Sequence, residues 1–366
     1  MPLSSMRCPK CGYTQLASPT CKSCGAASGN AQAAQPPPQP QSRPSQPQPD
    51  GDQTHRLTFH GTGGSLFGIH TVNIFLTLIT LGVYYFWGKV RVRNYLLSQS
   101  EFQGDRFAYH GTGKEQLIGF LKAVFIFGGL TACFRAVPLL PGGPAVKGIA
   151  FFLGYLVLLT FIPIAMVGAR RYRLSRTSWR GIRFSFRGRV VDFIRLFMGG
   201  TLLTLITLGF YKPIFDTRRY GFMTSHSYFG QQKLDFNGKG RELLGSYLLA
   251  LLLTLPTLGL YWFWYAAKIH RYLWDHTSFG NARFHSIVTG GKFFLLKFGN
   301  LLLLILTLGL AWPWTTVRNV QFSLRYLTME GPLDLEAIQQ DAQSASPTGD
   351  ALDTFLGLDS GFDAAA

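Results

Sequence analysis

The sequence is short of acid where it is rich in base. Only 9 of its 18 Asp and Glu residues fall within 55–330, which holds 31 of the 35 Lys and Arg, a formal charge of +22 for that stretch. Beyond it the imbalance reverses: 331–366 has seven acids (Asp334, Glu336, Asp341, Asp350, Asp353, Asp359 and Asp363) and no Lys or Arg. Residues 28–54 lack any apolar run; this Pro/Gln-rich stretch cannot bury a core and reads as a disordered linker. No HExxH, Walker-type sequence or nucleophile–base–orienter set occurs, so no enzyme is expected and no catalytic residue is nominated. The first apolar run begins after residue 60, behind polar sequence, so no cleavable signal peptide is expected.

Cysteine is also scarce, at five residues, yet four of them crowd into the first 24 positions. Cys8-Pro9-Lys10-Cys11-Gly12 and Cys21-Lys22-Ser23-Cys24-Gly25 are two CxxC turns. Four thiolates at this spacing can close a tetrahedral Zn²⁺ site with no open position for catalysis, so 1–27 reads as a small structural zinc ribbon. Thiols kept for metal imply a reducing compartment, which places this module in the cytoplasm. Arg7, Lys10 and Lys22 come with few stacking aromatics, so a protein partner is favoured over nucleic acid. Cys133 reads as a small packing residue.

What the middle of the chain has in quantity is long apolar runs. Residues 66–87, 117–140, 149–169, 193–211, 243–266 and 293–314 each approach the ~20 residues that cross a bilayer. Tyr and Trp cluster where the runs end, as in Tyr84-Tyr85-Phe86-Trp87, with Lys or Arg just beyond, an order that a membrane interface favours. Four runs close on one signature: TLG with aromatics or base after it, at Gly82, Gly209, Gly259 and Gly309.

Between the runs lie short alternating segments around turns. Phe59, Phe/Tyr-containing 107–109, Phe186, Phe236, Ser286 and Leu335 fall at equivalent places with steps of 50, 77, 50, 50 and 49 residues, the last within a Leu333–Leu335 pairing segment. Such alternation beside Gly-containing turns predicts β-hairpins. The long step contains an insertion whose turn is Pro138-Leu139-Leu140-Pro141-Gly142-Gly143-Pro144. The fold class that follows is mainly α: a polytopic helical membrane protein built from ~50-residue repeats, each a helix plus a short β-hairpin, preceded by the zinc ribbon. Its domains are 1–27, 28–54, 55–330 and the acidic, mostly disordered tail 331–366.

FHGTGGSLF at 59–67, TLITLGVYYFWGKVRVRNYL at 77–96 and GDRFAYHGTGKE at 104–115 resemble the YjgN-like family of bacterial inner-membrane proteins, over roughly three-quarters of the chain. The resemblance implies inner-membrane localisation and brings no established activity. Two topologies stay open. Six single crossings would leave 15 Lys and Arg in the outer linkers against 6 in the inner ones, contrary to the positive-inside tendency. If each TLG segment turns back, every basic segment faces the cytoplasm.

Asn73 and Asn300, nine residues before Gly82 and Gly309, form the candidate intramembrane polar site; amide hydrogen bonding between helices is the competing explanation. The arginine-rich run 170–189 suits anionic phospholipid headgroups. His60/His110 and His226/His276 occupy paired positions, which duplication alone would produce. The leading functional reading is transporter- or channel-like, with the ribbon as a regulatory or protein-contact module. The competing one is a non-transporting scaffold or regulator that binds anionic lipid and partner proteins. A polar cavity lined by Asn73, Asn300 and the TLG threonines would favour the first, and a sealed apolar interior the second. Oligomeric state is not readable.

Overall fold

The computed structural model describes residues 5–7, 14–16, 54–137, 143–333, 335 and 338–340. The chain divides into two units, Met1–Gly51 and Asp52–Ala366. In the first, β1 (Ser5–Arg7) and β2 (Thr14–Leu16) pair antiparallel, with Ser5 opposite Leu16 and Arg7 opposite Thr14. The cysteines Cys8, Cys11, Cys21 and Cys24 lie outside the described residues, as do the linker and most of the acidic tail.

The second unit is organised by ten short strands. They are β3 (Thr54–Phe59), β4 (Ser100–Phe102), β5 (Asp105–Tyr109), β6 (Thr177–Trp179) and β7 (Ile182–Phe186), then β8 (Ser227–Phe229), β9 (Gln232–Phe236), β10 (Thr277–Phe279), β11 (Ala282–Ser286) and β12 (Leu327–Glu330). Each pairs antiparallel with its neighbours in sequence, and β12 returns to β3, with Thr328 opposite Arg56 and Glu330 opposite Thr54, closing a barrel. Closure leaves no free edge, so strands of only three to six residues can share one stable sheet. Every strand sends at least one apolar residue into a single cluster: Phe102, Trp179, Phe229, Phe279 and Met329 from one set, Leu57, Phe107, Phe184, Leu234 and Phe284 from the other. Burying each such side chain contributes about 1.5–3 kcal/mol.

Helical hairpins connect the strands. The pairs are α1 (Gly63–Ile79) with α2 (Tyr85–Ser98), α3 (Gly113–Ala136) with α4 (Pro144–Arg176), α5 (Val190–Ile206) with α6 (Lys212–Ser225), α7 (Leu244–Leu253) with α8 (Tyr261–Asp275), and α9 (Gly290–Leu306) with α10 (Trp312–Arg325). Thr62 and Thr112 cap α1 and α3, their hydroxyls accepting from the amides of Ser65 and Glu115. The helices close in step with the strands: Val317, Val320 and Leu324 of α10 pack on Leu66 of α1.

The junction between strand and helix shows how residue volumes are matched. The rings of Phe59, Tyr109, Phe186 and Phe236 fold over Gly61, Gly111, Gly188 and Gly238, where a Cβ would sit 2.4–2.6 Å from ring or hydroxyl atoms. In the last unit the aromatic is replaced by Ser286 and the glycine by Val288, both buried, so the volume lost at one position is restored two residues on.

The architecture overturns the expected class. The second unit is a closed ten-strand antiparallel barrel carrying helical hairpins, not a polytopic helical membrane protein built from repeats. Only α3 and α4 among the described residues are long and apolar enough to cross a membrane. The reason is the TLG signature: it ends one helix and starts another, so runs such as 66–87 and 293–314 are each split between two helices of at most 17 residues. Among the described residues the last strand is β12 at 327–330, and Leu333 and Leu335, expected in a pairing segment, pack against the barrel cluster. Cys133 is exposed rather than packed.

Candidate membrane-facing surface

Each TLG joint is a reversal built from the same bonds. The glycine amide donates to the carbonyl five residues back: Gly82 to Thr77, Gly209 to Thr204, Gly259 to Thr254 and Gly309 to Leu304, all at 2.7–2.8 Å. This bond satisfies a carbonyl at the helix end, as in a Schellman cap. The threonine of each joint serves both helices. Thr80, Thr207, Thr257 and Thr307 donate to the carbonyl four residues earlier at 2.6–2.8 Å. Their hydroxyls also accept the amides of Tyr84, Tyr211, Tyr261 and Ala311, at the start of the returning helix. The threonine hydroxyls therefore hold the turns.

The leucine between them is the unusual residue. Leu81, Leu208, Leu258 and Leu308 have φ of 49–50°, a left-handed conformation that costs an L-residue with a Cβ about 1–2 kcal/mol. They are 93, 88, 91 and 94 % exposed, with Leu78, Ile79, Leu205, Ile206, Ile305 and Leu306 exposed beside them. A polar turn residue would fit that backbone better. Retaining a solvent-exposed leucine at four strained tips points to an apolar environment around them.

Asn73 and Asn300 are buried but serve separate hairpins. Asn73 donates to the Gly88 carbonyl of α2 at 3.2 Å, and Asn300 donates to Asn319 Oδ1 of α10 at 3.0 Å. No contact among the described residues brings the two together. The structure thus uses each as a clamp between the two helices of its own hairpin.

The arginine run is mostly internal to the fold. Arg176 holds Glu115 through two hydrogen bonds, and Tyr172 donates to the same carboxylate, tying α4 to the start of α3. Arg171 donates to the Gly188 carbonyl, Arg187 to that of Gly230, and Arg180 pairs with Asp105 across neighbouring hairpins. Arg180, Arg183 and Arg189 are the exposed members of the run. The histidines are also in local use: His60 pairs with Glu101 at 3.1 Å, His110 meets Ser178, and the Nδ1 atoms of His226 and His276 bond the carbonyls four residues back. Among the described residues no group of three or more His, Cys, Asp or Glu could hold a metal.

A charge pattern that sequence reading missed follows from the joints. Arg91, Arg218, Lys268 and Arg318 each stand nine residues after the tip glycine, and all four are exposed. Arg91 lies over the Tyr84 ring and Arg218 over the Tyr211 ring, each aromatic two residues past its glycine. The signal was present as a fixed spacing from Gly82, Gly209, Gly259 and Gly309, which only alignment on the joints exposes.

Fold and surface together define a barrel-based protein that presents apolar helical hairpins. The chain belongs to the family described as bacterial protein of unknown function (DUF898), whose model matches residues 54–263, 231–284 and 249–355. It is 38 % identical over 134 residues to "Inner membrane protein YjgN" of Escherichia coli O157:H7, covering 36 % of this chain and 31 % of that one. The match to the protein of the same name in Escherichia coli strain K12 is 37 % over 133 residues, 36 % of this chain and 31 % of that one. With the Salmonella typhimurium LT2 protein it is 32 % over 136 residues, 37 % and 32 % of the two chains. The matched stretch spans about a third of the length of these relatives. No solved structure matches the chain.

Proposed function

We propose that this chain is an inner-membrane scaffold or regulator, not a conduit: the barrel is a rigid platform at the membrane and α3–α4 is its anchor. The observation that carries the reading is the filled barrel interior. Ring centroids lie 5.4 Å apart for Phe102–Trp179, 5.7 Å for Trp179–Phe229 and 4.8 Å for Phe184–Phe229, the spacing of packed aromatics. Side chains that fill a small barrel leave it a core and not a channel. The transporter-like reading loses its two supports, since Asn73 and Asn300 are clamps and the TLG threonines are caps.

The name shared by the relatives supports inner-membrane placement, and the excess of Lys and Arg at the barrel end favours a cytoplasmic orientation of that end. The N-terminal module is then cytoplasmic, with Zn²⁺ held by Cys8, Cys11, Cys21 and Cys24; β1 and β2 bracket the first cysteine pair in sequence as a knuckle requires. A protein partner for this module completes the scaffold reading.

The test is reconstitution of the full chain in planar bilayers and in vesicles loaded with small ions and solutes. The expected outcome is neither conductance nor flux. Unitary conductance or saturable flux in the unaltered chain would sink the scaffold reading. Metal analysis of the same preparation should give one zinc per chain, lost in the Cys11→Ser/Cys24→Ser variant.

A further inference from the structure

We infer that the short hairpins enter only one leaflet of the membrane that α3–α4 crosses, with Arg91, Arg218, Lys268 and Arg318 gripping the anionic headgroups of that leaflet. This rests on the membrane placement proposed above and adds depth, sidedness and a lipid class to it.

Length sets the depth. The nine residues from tip glycine to basic residue span about 14 Å at the helical rise, and a tilted hairpin reaches less. Half the hydrocarbon thickness is about 15 Å. The tips therefore reach at most the bilayer midplane while the cations stay at the headgroups. The first helices agree: Arg195 and Lys297 stand 14 and 12 residues before Gly209 and Gly309, with exposed apolar residues between. A full crossing would drag these exposed cations into hydrocarbon, at about 2.5–3.5 kcal/mol each.

The long hairpin shows the contrast. In α4 the position matching the basic residue is Gly168, and from Arg170 the helix runs back to Lys147 over roughly 35 Å, a full bilayer. Lys147 and Arg135 flank its far turn, where a second headgroup layer would lie.

Chemistry sets the lipid class. Four cations at one height, two of them resting on tyrosine rings, match a layer of phosphate and aromatic-friendly glycerol groups. In the α5–α6 hairpin, Arg195 and Arg218 border a cleft of about 290 Å³ with Gly199, Gly200, Leu203 and Tyr211. Two guanidinium groups facing one cleft suit a phosphate, with Leu203 and Tyr211 toward the acyl side. Lys89 also stands short of its belt, seven residues past Gly82, and one tip departs further: Lys212 sits three residues past Gly209, its ammonium held by Asp216 at 2.8 Å. This hairpin should sit shallowest.

The experiment replaces Leu81, Leu258 or Leu308, one at a time in the full chain, by a fluorescent noncanonical residue, with Val157 of α4 as reference. Vesicles contain phosphatidylcholine and phosphatidylglycerol at equal mole fraction, with bromine on the acyl chains of one or the other; iodide is the aqueous quencher. The expected result is several-fold stronger quenching of all three tips by acyl bromine than by iodide. Brominated phosphatidylglycerol should quench more than brominated phosphatidylcholine. Neutralising the basic residue of the same hairpin, as in Arg91→Gln, Lys268→Gln or Arg318→Gln, should reduce that preference by up to about fivefold. Iodide quenching at the tips with bromine quenching at Val157 would overturn the one-leaflet inference and leave the membrane reading standing. Iodide quenching at Val157 as well would overturn both. Equal quenching by the two lipids in the unaltered chain would overturn the headgroup assignment.

Discussion

The α3–α4 hairpin and the four short hairpins rise from the same barrel and solve the same problem with different lengths. The long one has helices of 24 and 33 residues; each short one reverses at a TLG joint after a first helix of 17 residues or fewer. The long pair is tied at its base by the Glu115–Arg176–Tyr172 cluster, and two of the short ones by a tyrosine hydroxyl reaching the loop before the hairpin, Tyr95 to Thr62 and Tyr272 to Lys239. The difference teaches that apolar length alone does not count crossings. What counts is apolar helix unbroken between two charged belts, and among the described residues only α4, from Lys147 to Arg170, has it.

The largest effect should come from erasing the difference. Replacing residues 130–159 by Thr-Leu-Gly turns α3–α4 into a fifth short hairpin. The chain held by membranes after an alkaline carbonate wash should fall from most of the total to a minor fraction, while far-UV circular dichroism keeps its strand and helix signals. Retention at the original level would mean that the short hairpins anchor the protein unaided.

The next effect uses a position where the two kinds of hairpin carry different chemistry. Seven residues before the following strand, α4 has Arg170 and α8 has the buried His270, whose Nδ1 meets Ser286 Oγ at 3.1 Å. Burial pushes the His270 imidazole down to about 4, against an opposing pull from Asp275. Between pH 6.5 and about 4 the unfolded chain therefore binds a proton that the folded chain refuses. Stability from this group is complete above pH 6.5 and falls by roughly 3 kcal/mol on the way down to pH 4. Denaturation midpoints in detergent should drop across that window, and His270→Gln should flatten the drop.

A smaller effect belongs to the tips alone. Leu258→Gly relieves a left-handed leucine and should raise stability in detergent by about 1 kcal/mol. In bilayers, with the fluorescent residue at the exposed Leu255 of the same tip, the change should weaken quenching by acyl bromine, so the sign of its benefit depends on the surroundings. The smallest effect is at the polar clamps. α3 has the buried Ala123 where α1 has Asn73 and α9 has Asn300. Asn73→Ala and Asn300→Ala should each cost only about 0.6 kcal/mol, the average for membrane hydrogen bonds. A loss above 2 kcal/mol, or a specific loss of a bound solute, would restore a functional role for the pair.

Much of this arrangement was legible in local sequence. The strand segments, their Gly turns, the TLG joints and the long Pro-Gly insertion all announce themselves through residue type and spacing. Hydropathy misled at Leu81, Leu208, Leu258 and Leu308, because an apolar residue in a turn scores as helix interior. The arginine run misled in the opposite direction: Arg171, Arg176 and Arg187 read as charge for lipid headgroups, yet their partners Gly188, Glu115 and Gly230 lie 17 to 61 residues away. Pairing at that separation leaves no local trace.

By itself the sequence determined where the chain turns, which segments are apolar and where aromatic and basic residues punctuate them, since these depend on backbone preferences and transfer energies of neighbouring residues. Only the tertiary structure decided that the hairpins form a closed barrel and that its interior is filled. Closure depends on β12 meeting β3 some 270 residues upstream, and filling depends on ten side chains from ten strands arriving in one place. Neither is a property of any single stretch; both arise because a strand edge and an apolar side chain are satisfied only by what the rest of the fold brings to them.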